Sequence, residues 1–236
     1  MKILVCGSHG RMGCLIVALA EQYGCKVVGE VNRGSNLAVE FDNNPDVCLD
    51  FTSPDSLLAL CSTAAKRGVK VVSGTTGLSD SHKRELALNA KNIPILHASN
   101  FSIGVFVLNK LVKLATEFLP ENFDIEIVER HHSKKKDAPS GTAITLLKNI
   151  QSVRHCVESF GRKGNCERSI SEVCLHSVRG GDIVGEHEVL FAGQGERLEL
   201  IHRITNREIF ARGALCAAKK FAKFSQPGLY TLDDVL

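Results

Sequence analysis

The feature that most limits this chain is its opening. An apolar run, Lys2 to Cys6, breaks directly into Gly7-Ser-His-Gly10-Arg-Met-Gly13. Behind the glycines, Met12, Leu15, Ile16 and Leu19 recur at helical spacing, and the pattern stops at Gly24 after Tyr23. A strand, a glycine turn and a helix in that order form a βα unit. The N-terminus of such a helix offers backbone N–H groups and partial positive charge. Glycines three apart allow a tight turn, close approach of a pyrophosphate and packing of helix on strand. The turn is therefore a candidate dinucleotide cradle.

The same rhythm continues to about residue 100. Lys26–Val31, Val47–Phe51, Val69–Ser73 and Ile93–His97 read as strands. Ser53 opens a helix carrying Leu57, Leu58, Leu60 and Cys61 that ends before Gly68, and Ser79–Ala90 reads as another. Alternating strands and helices predict a parallel sheet. The rhythm then changes. Phe106, Leu108, Leu111, Leu114, Ala115 and Phe118 lie along one long helix; Asp124–Arg130 alternates as a strand; Ser140–Ile150 is helical. Three β-rich stretches follow, Ser171–Val178, His187–Ala192 and Leu198–Ile204, joined by Gly180-Gly181 and Gly193-Gln-Gly195 as in an antiparallel sheet. A last helix spans about Phe210–Phe224. The expected fold is α/β: a parallel-sheet nucleotide domain followed by an α+β domain with a mixed or antiparallel sheet.

Composition narrows the function. A net charge of +3 over 236 residues is too mild to imply nucleic acid, so any positive charge that matters must be local. No apolar run approaches the roughly 18 residues of a membrane span, and the start turns polar too early for a signal peptide. Nine cysteines are scattered with no Cys-x-x-Cys pair, which reads as reduced thiols in a cytosolic protein. No residue set has metal-ligand spacing, so no metal is expected.

Local signals then name candidate sites. After the second strand stands Glu30-Val-Asn32-Arg33, where an acid would repel the 2′-phosphate of NADP and an arginine would attract it. Asn32 and Arg33, with Arg11 in the glycine turn, lean towards NADPH and leave NADH open. Two loops follow parallel strands, Ser73-Gly74-Thr75-Thr76-Gly77 and Ala98-Ser99-Asn100-Phe101. Ligands of open α/β sheets bind at such strand ends, and these residues can hydrogen-bond a nicotinamide amide. The richest stretch is Glu129-Arg-His131-His132-Ser-Lys134-Lys135-Lys136-Asp137-Ala-Pro139-Ser140-Gly141-Thr142. It leaves a strand, concentrates positive charge and enters a helix that Ser140 or Asp137 can cap. Cations opposite a helix N-terminus suit carboxylates, and histidine and lysine also carry protons.

Taken together these pieces resemble the dihydrodipicolinate reductase (4-hydroxy-tetrahydrodipicolinate reductase) family. The matching stretches are Gly7-x-x-Gly10-Arg-Met-Gly13, Asp50-Phe-Thr, Ser73-Gly-Thr-Thr-Gly77 and Asn100-Phe-Ser-x-Gly104, then the segment from Glu129 through His131-His132 and Lys135 to Ala143, Arg179-x-Gly-Asp-Ile-Val-Gly-Glu-His187, and the ending Asp234-Val-Leu236. They fall in family order and span nearly the whole chain. The resemblance implies a Rossmann-like domain over 1–102, completed by 208–236, and a substrate-binding and oligomerisation domain over 103–207. It also implies a cytoplasmic homotetramer that reduces a cyclic dicarboxylate with NADPH or NADH in diaminopimelate and lysine biosynthesis. By the same resemblance His131 is the acid/base residue and Lys135 the proton donor. His132, Gly141 and Thr142 contact the substrate carboxylates. Gly7, Ser8, His9, Gly10, Arg11, Met12, Gly74, Thr75, Thr76, Ala98, Ser99, Asn100 and Phe101 contact the cofactor. Two departures stand out: Asn32 replaces an acid common in the family, and Gly34–Asp46 is short. The second implies a lost helix and puts one strand in question. A non-catalytic dinucleotide sensor whose basic loop binds an anionic effector is the rival reading.

Overall fold

Short apolar strands that alternate with helices form a parallel sheet in the computed structural model, which describes residues 1–236. Its strands are β1 (Lys2–Cys6), β2 (Lys26–Val31), β3 (Val47–Asp50), β4 (Lys70–Ser73) and β5 (Pro94–His97), joined at the edge by β11 (Gly228–Tyr230) from the chain's end. The order is β11-β5-β4-β3-β1-β2, every pairing parallel. All four residues of β3 are buried, as a strand covered on both faces requires. The helices are α1 (Arg11–Leu19), α2 (Leu37–Phe41), α3 (Pro54–Arg67), α4 (Asp80–Asn89), α7 (Glu208–Phe221) and α8 (Leu232–Val235). Sequence punctuation explains their limits. Pro54 opens α3 and Gly68, at φ 66°, closes it; Ser79 caps α4 by accepting from the His82 N–H.

Two expectations change here. The helix read as running to Tyr23 stops at Leu19; Glu21–Tyr23 is a 3₁₀ turn closed by left-handed Gly24. The short Gly34–Asp46 segment keeps a helix, α2, capped by Asn36 and only five residues long.

The chain divides into two compact units, Met1–Ser102 with Glu208–Leu236, and Ile103–Arg207. The second unit holds α5 (Ile103–Phe118), β6 (Asp124–His131), α6 (Gly141–Gln151), β7 (Val157–Phe160), β8 (Glu172–Arg179), β9 (Gly185–Gly193) and β10 (Glu196–Ile204). The sheet order is β10-β9-β6-β8-β7. β9 and β10 form the expected antiparallel hairpin, but β6 separates β8 from β9 and runs parallel to β8. The sheet is therefore mixed: α6 and β7 carry the chain from β6 to the start of β8, a crossover long enough for parallel pairing. Leu108 and Val112 of α5, Ala143, Leu146, Leu147 and Ile150 of α6, and Ile125, Ile127, Val173, Leu175, Val189 and Phe191 of the sheet make one core. No helix is long and apolar enough to cross a membrane. All nine cysteines are free thiols, five of them buried; burial pushes the Cys61 thiol up to about 12.

Candidate active site: a glycine cradle and a basic loop

In the first unit, β1 runs into Gly7, whose φ of 80° and tight surroundings both demand glycine: a Cβ there would stand 2.6 Å from the Phe51 carbonyl oxygen. A Cβ on Gly13 would stand 2.1 Å from the Gly7 carbonyl oxygen, so α1 seats against the turn only because this position is bare. Gly10 is the N-cap of α1. No side chain caps the helix and no acid lies in its first turn. The chain's own side chains thus do not answer the N–H groups and positive end of the dipole. That arrangement fits a dinucleotide pyrophosphate. Asn32 is folded onto the turn: its Oδ1 accepts from the His9 N–H at 3.0 Å and its Nδ2 donates to the Ser8 Oγ at 2.7 Å. Both ends of Asn32 are thus engaged, while the side chains of Arg33 and Arg11 are exposed.

The loops after β4 and β5 hang on a buried carboxylate. Asp50 is fully buried and accepts from Thr52 Oγ1 at 2.5 Å, Ser73 Oγ at 2.7 Å and Thr75 Oγ1 at 2.7 Å. Burial raises its pKa against the pull of the three hydroxyls. Thr75 Oγ1 also accepts from the Thr52 N–H, and the Thr75 carbonyl meets His97 Nε2 at 2.9 Å. The Thr75 side chain is therefore internal scaffolding, while Thr76 is exposed. Gly74 lies on the Phe51 ring, 2.1 Å from where a Cβ would fall. Phe101 is also internal, 2% exposed and tilted against Phe51 at 5.8 Å, so its ring supports the loop. Ala98 donates its N–H to the Ser73 carbonyl, Asn100 Oδ1 accepts from the Ser102 N–H, and Ser99 is exposed.

In the second unit the period of β6 places Ile125, Ile127, Glu129 and His131 on one face. The first two enter the core; the last two pair with each other. Glu129 is fully buried. Its Oε2 meets His131 Nδ1 at 2.5 Å and accepts from Arg179 Nη1 at 2.8 Å. Its Oε1 accepts from Arg179 Nη2 at 2.7 Å and from the Ser140 N–H at 3.1 Å. Arg179 sits opposite His131 in the β6–β8 register and also donates to the Asp137 carbonyl at 2.6 Å. Burial alone would raise the Glu129 pKa, but hydrogen bonds from Arg179 and His131 prevail and hold it at about 2. An ionised carboxylate only accepts, and Nδ1 is the ring nitrogen of His131 that faces it. Burial lowers the His131 pKa, and Glu129 recovers part of the loss.

The rest of the loop builds around this pair. Ser140, and not Asp137, caps α6: its Oγ accepts from the Ala143 N–H at 3.2 Å and also meets His187 Nε2 at 3.0 Å. His187 of β9 is 2% exposed and edge-on to His131 at 5.2 Å, and its Nδ1 has no partner. Burial brings its pKa down to about 4. Lys135 Nζ donates to both oxygens of Asp137 at 2.8 Å, and that ion pair holds Asp137 below the usual carboxylate range. His132 and Thr142 are half-buried, and Gly141, with open space over it, begins α6. Glu129, Arg179 and His187 stood within quoted stretches but were given no site role from sequence, and Ser140 was read only as a cap. The Glu129-x-His131 spacing on a strand was the available signal. Elsewhere on this sheet Glu126, Cys174 and His176 bring ligand atoms within 4.8 Å. Glu126 is already paired with Arg162 and Arg168, whose charges oppose a cation.

A glycine cradle fit for a dinucleotide and a proton-bearing basic loop, on separate units, are the parts of a nicotinamide-dependent reductase. Comparison with known proteins is specific. The family model described as dihydrodipicolinate reductase, N-terminus, matches residues 1–101, and that described as dihydrodipicolinate reductase, C-terminus, matches residues 104–236. The chain belongs to the dihydrodipicolinate reductase family. It is 40% identical to 4-hydroxy-tetrahydrodipicolinate reductase of Archaeoglobus fulgidus, with 100% of both chains covered. It is 41% identical to the enzyme of that name from Methanocorpusculum labreanum, over 100% of this chain and 99% of the relative. Among solved structures it resembles the dipicolinate-bound dihydrodipicolinate reductase of Paenisporosarcina sp. TG-14 with a TM-score of 0.84 and 26% identity, covering 100% and 99% of the two chains.

Proposed function

We propose that this protein reduces 4-hydroxy-tetrahydrodipicolinate, or the dihydrodipicolinate formed from it by loss of water, to tetrahydrodipicolinate with NADPH or NADH, in diaminopimelate and lysine biosynthesis. The observation that carries the reading is the Glu129–His131 pair beside Lys135 at the entrance to α6. Gly7–Met12 hold the pyrophosphate; Gly74–Thr76 and Ala98–Phe101 receive the nicotinamide end, with Thr75 and Phe101 acting through the backbone because their side chains are internal. A reduced nicotinamide bound there supplies the hydride.

The chain's own residues do the rest. The substrate is a planar ring with two carboxylates, and dipicolinate, bound by the Paenisporosarcina relative, has the same shape and charge. His132 and the first turn of α6, at Gly141 and Thr142, bind one carboxylate through charge-assisted hydrogen bonds. A second carboxylate competes with Asp137 for Lys135. As the ring gains hydride an enamine-type electron pair builds on it, and the Lys135 ammonium protonates that carbon and regains its proton from water. His131 offers a lone pair at Nε2 that takes a proton from solvent, and Glu129 stabilises the cation so formed.

In the cell we place the protein in the cytoplasm as a homotetramer. Exposed Leu111, Leu114 and Phe118 along α5, with Leu198 of β10, support self-association. Light scattering gives the mass. Turnover is tested by following reduced-nicotinamide absorbance with freshly generated ring substrate. Cofactor binding without consumption would favour the non-catalytic sensor.

A further inference from the structure

We infer that Glu129 is a positioning residue that locks His131 in its Nδ1–H tautomer and, through its charge, sets how readily Nε2 takes a proton. The inference deepens the proposed reaction and rests on that reading for its kinetic arm only.

Four observations support it. The carboxylate is fully buried, and such a charge is retained only where it is paired. Each of its oxygens accepts two hydrogen bonds, three from Arg179 and Ser140 and the fourth from His131. Arg179 grips it bidentately, so the acceptor cannot swing away from Nδ1. Nε2 is not engaged by the chain: Gly185, which it faces, carries no Cβ (one would fall 3.1 Å away), and no group of the chain hydrogen-bonds to Nε2. A histidine fixed at one nitrogen by a buried anion is set to work at the other.

The charges facing His131 come from every neighbouring element. Glu129 precedes it on β6, Arg179 lies opposite on β8, His187 packs from β9 and Lys135 from the following loop. Glu129 is the only one of the four that favours a proton on the ring. Removing its charge while keeping its size must make His131 harder to protonate.

The test has two arms. In the parent protein with ¹⁵N-labelled histidine, NMR at neutral pH should show His131 protonated at Nδ1 and bare at Nε2. The reverse tautomer would overturn the inference without any variant or substrate. In the second arm Glu129→Gln and Glu129→Asp are compared. Glu129→Gln should lower kcat at least about tenfold with KM within about threefold, and move the acid limb of kcat/KM to lower pH. Glu129→Asp, shorter but charged, should recover part of kcat and keep the parent's acid limb. A packing role predicts the opposite order, since glutamine preserves the volume. Glutamine outperforming aspartate, or an unmoved acid limb in Glu129→Gln, would overturn the proposal. Should Glu129→Gln fail to fold, the parent spectrum decides. A parent with the expected tautomer but no turnover refutes the reductase reading and upholds the Glu129–His131 assignment.

Discussion

Arg179→Met removes the guanidinium that makes the buried Glu129 carboxylate affordable, while keeping most of the side chain's length. Two bonds to Glu129 are lost, at 2.7 and 2.8 Å, with the bond to the Asp137 carbonyl. Breaking a buried pair from one side costs about 3–5 kcal/mol because the remaining charge stays uncompensated. A second route gives a similar figure. Glu129 is held at about 2 against an ordinary 4.5; at about 1.4 kcal/mol per tenfold in proton affinity, the carboxylate is worth about 3 kcal/mol near neutrality. The sign follows from the direction of the shift. A depressed acid contributes fully above its unfolded value and loses that contribution as pH falls from 4.5 towards about 2. In Arg179→Met, burial pushes the carboxyl upward, so the contribution is gone at neutral pH. The gap between parent and variant should therefore be widest near neutrality and shrink as acid neutralises the carboxylate in both. Urea unfolding by circular dichroism across this pH range measures the gap, with hydrogen exchange assigning the transition to residues 103–207. A loss under about 1 kcal/mol, or a gap that does not change with pH, would refute the reasoning.

Other expectations follow from the two sites. Arg33→Ala should weaken NADPH selectively, by about 1.5–3 kcal/mol for one charge-assisted bond, because Asn32 is committed to Ser8 and His9; equal losses in kcat/KM for NADPH and NADH would remove Arg33 from the 2′-phosphate site. Pyridine-2,6-dicarboxylate should compete with the ring substrate far better than pyridine-2-carboxylate. Inhibition constants of similar size would mean that the loop does not read two anions.

Much of the nucleotide unit was legible because its signals are local. A glycine turn between strand and helix, the Ser79 cap and the Gly68 stop each act within a few residues. The mixed sheet was harder: nothing near Ser171–Val178 says that β6 will insert between it and β9, and β7 is a four-residue strand with no buried position and weak alternation. The basic loop announced itself by charge, and the resemblance singled out His131 and Lys135. Their partners did not stand out, because Arg179 and His187 reach Glu129, His131 and Ser140 only through strand pairing at a separation of roughly 50 residues. Likewise Thr75 and Phe101 read as ligand contacts, whereas tertiary packing turned their side chains inward.

In the proposed reaction the basic loop performs the chemical step, and the glycine cradle does not depend on it. Steady-state kinetics of Lys135→Ala, paired with direct titration by NADPH, separate the two sites. Loss of the ammonium removes the proposed proton donor and one carboxylate contact, so kcat should fall at least about tenfold and KM rise. The Kd for NADPH should change little, since the cradle is built wholly from residues of the first unit. A folded Lys135→Ala protein with near-normal kcat would contradict that role and leave Lys135 as one more cation in a solvated loop.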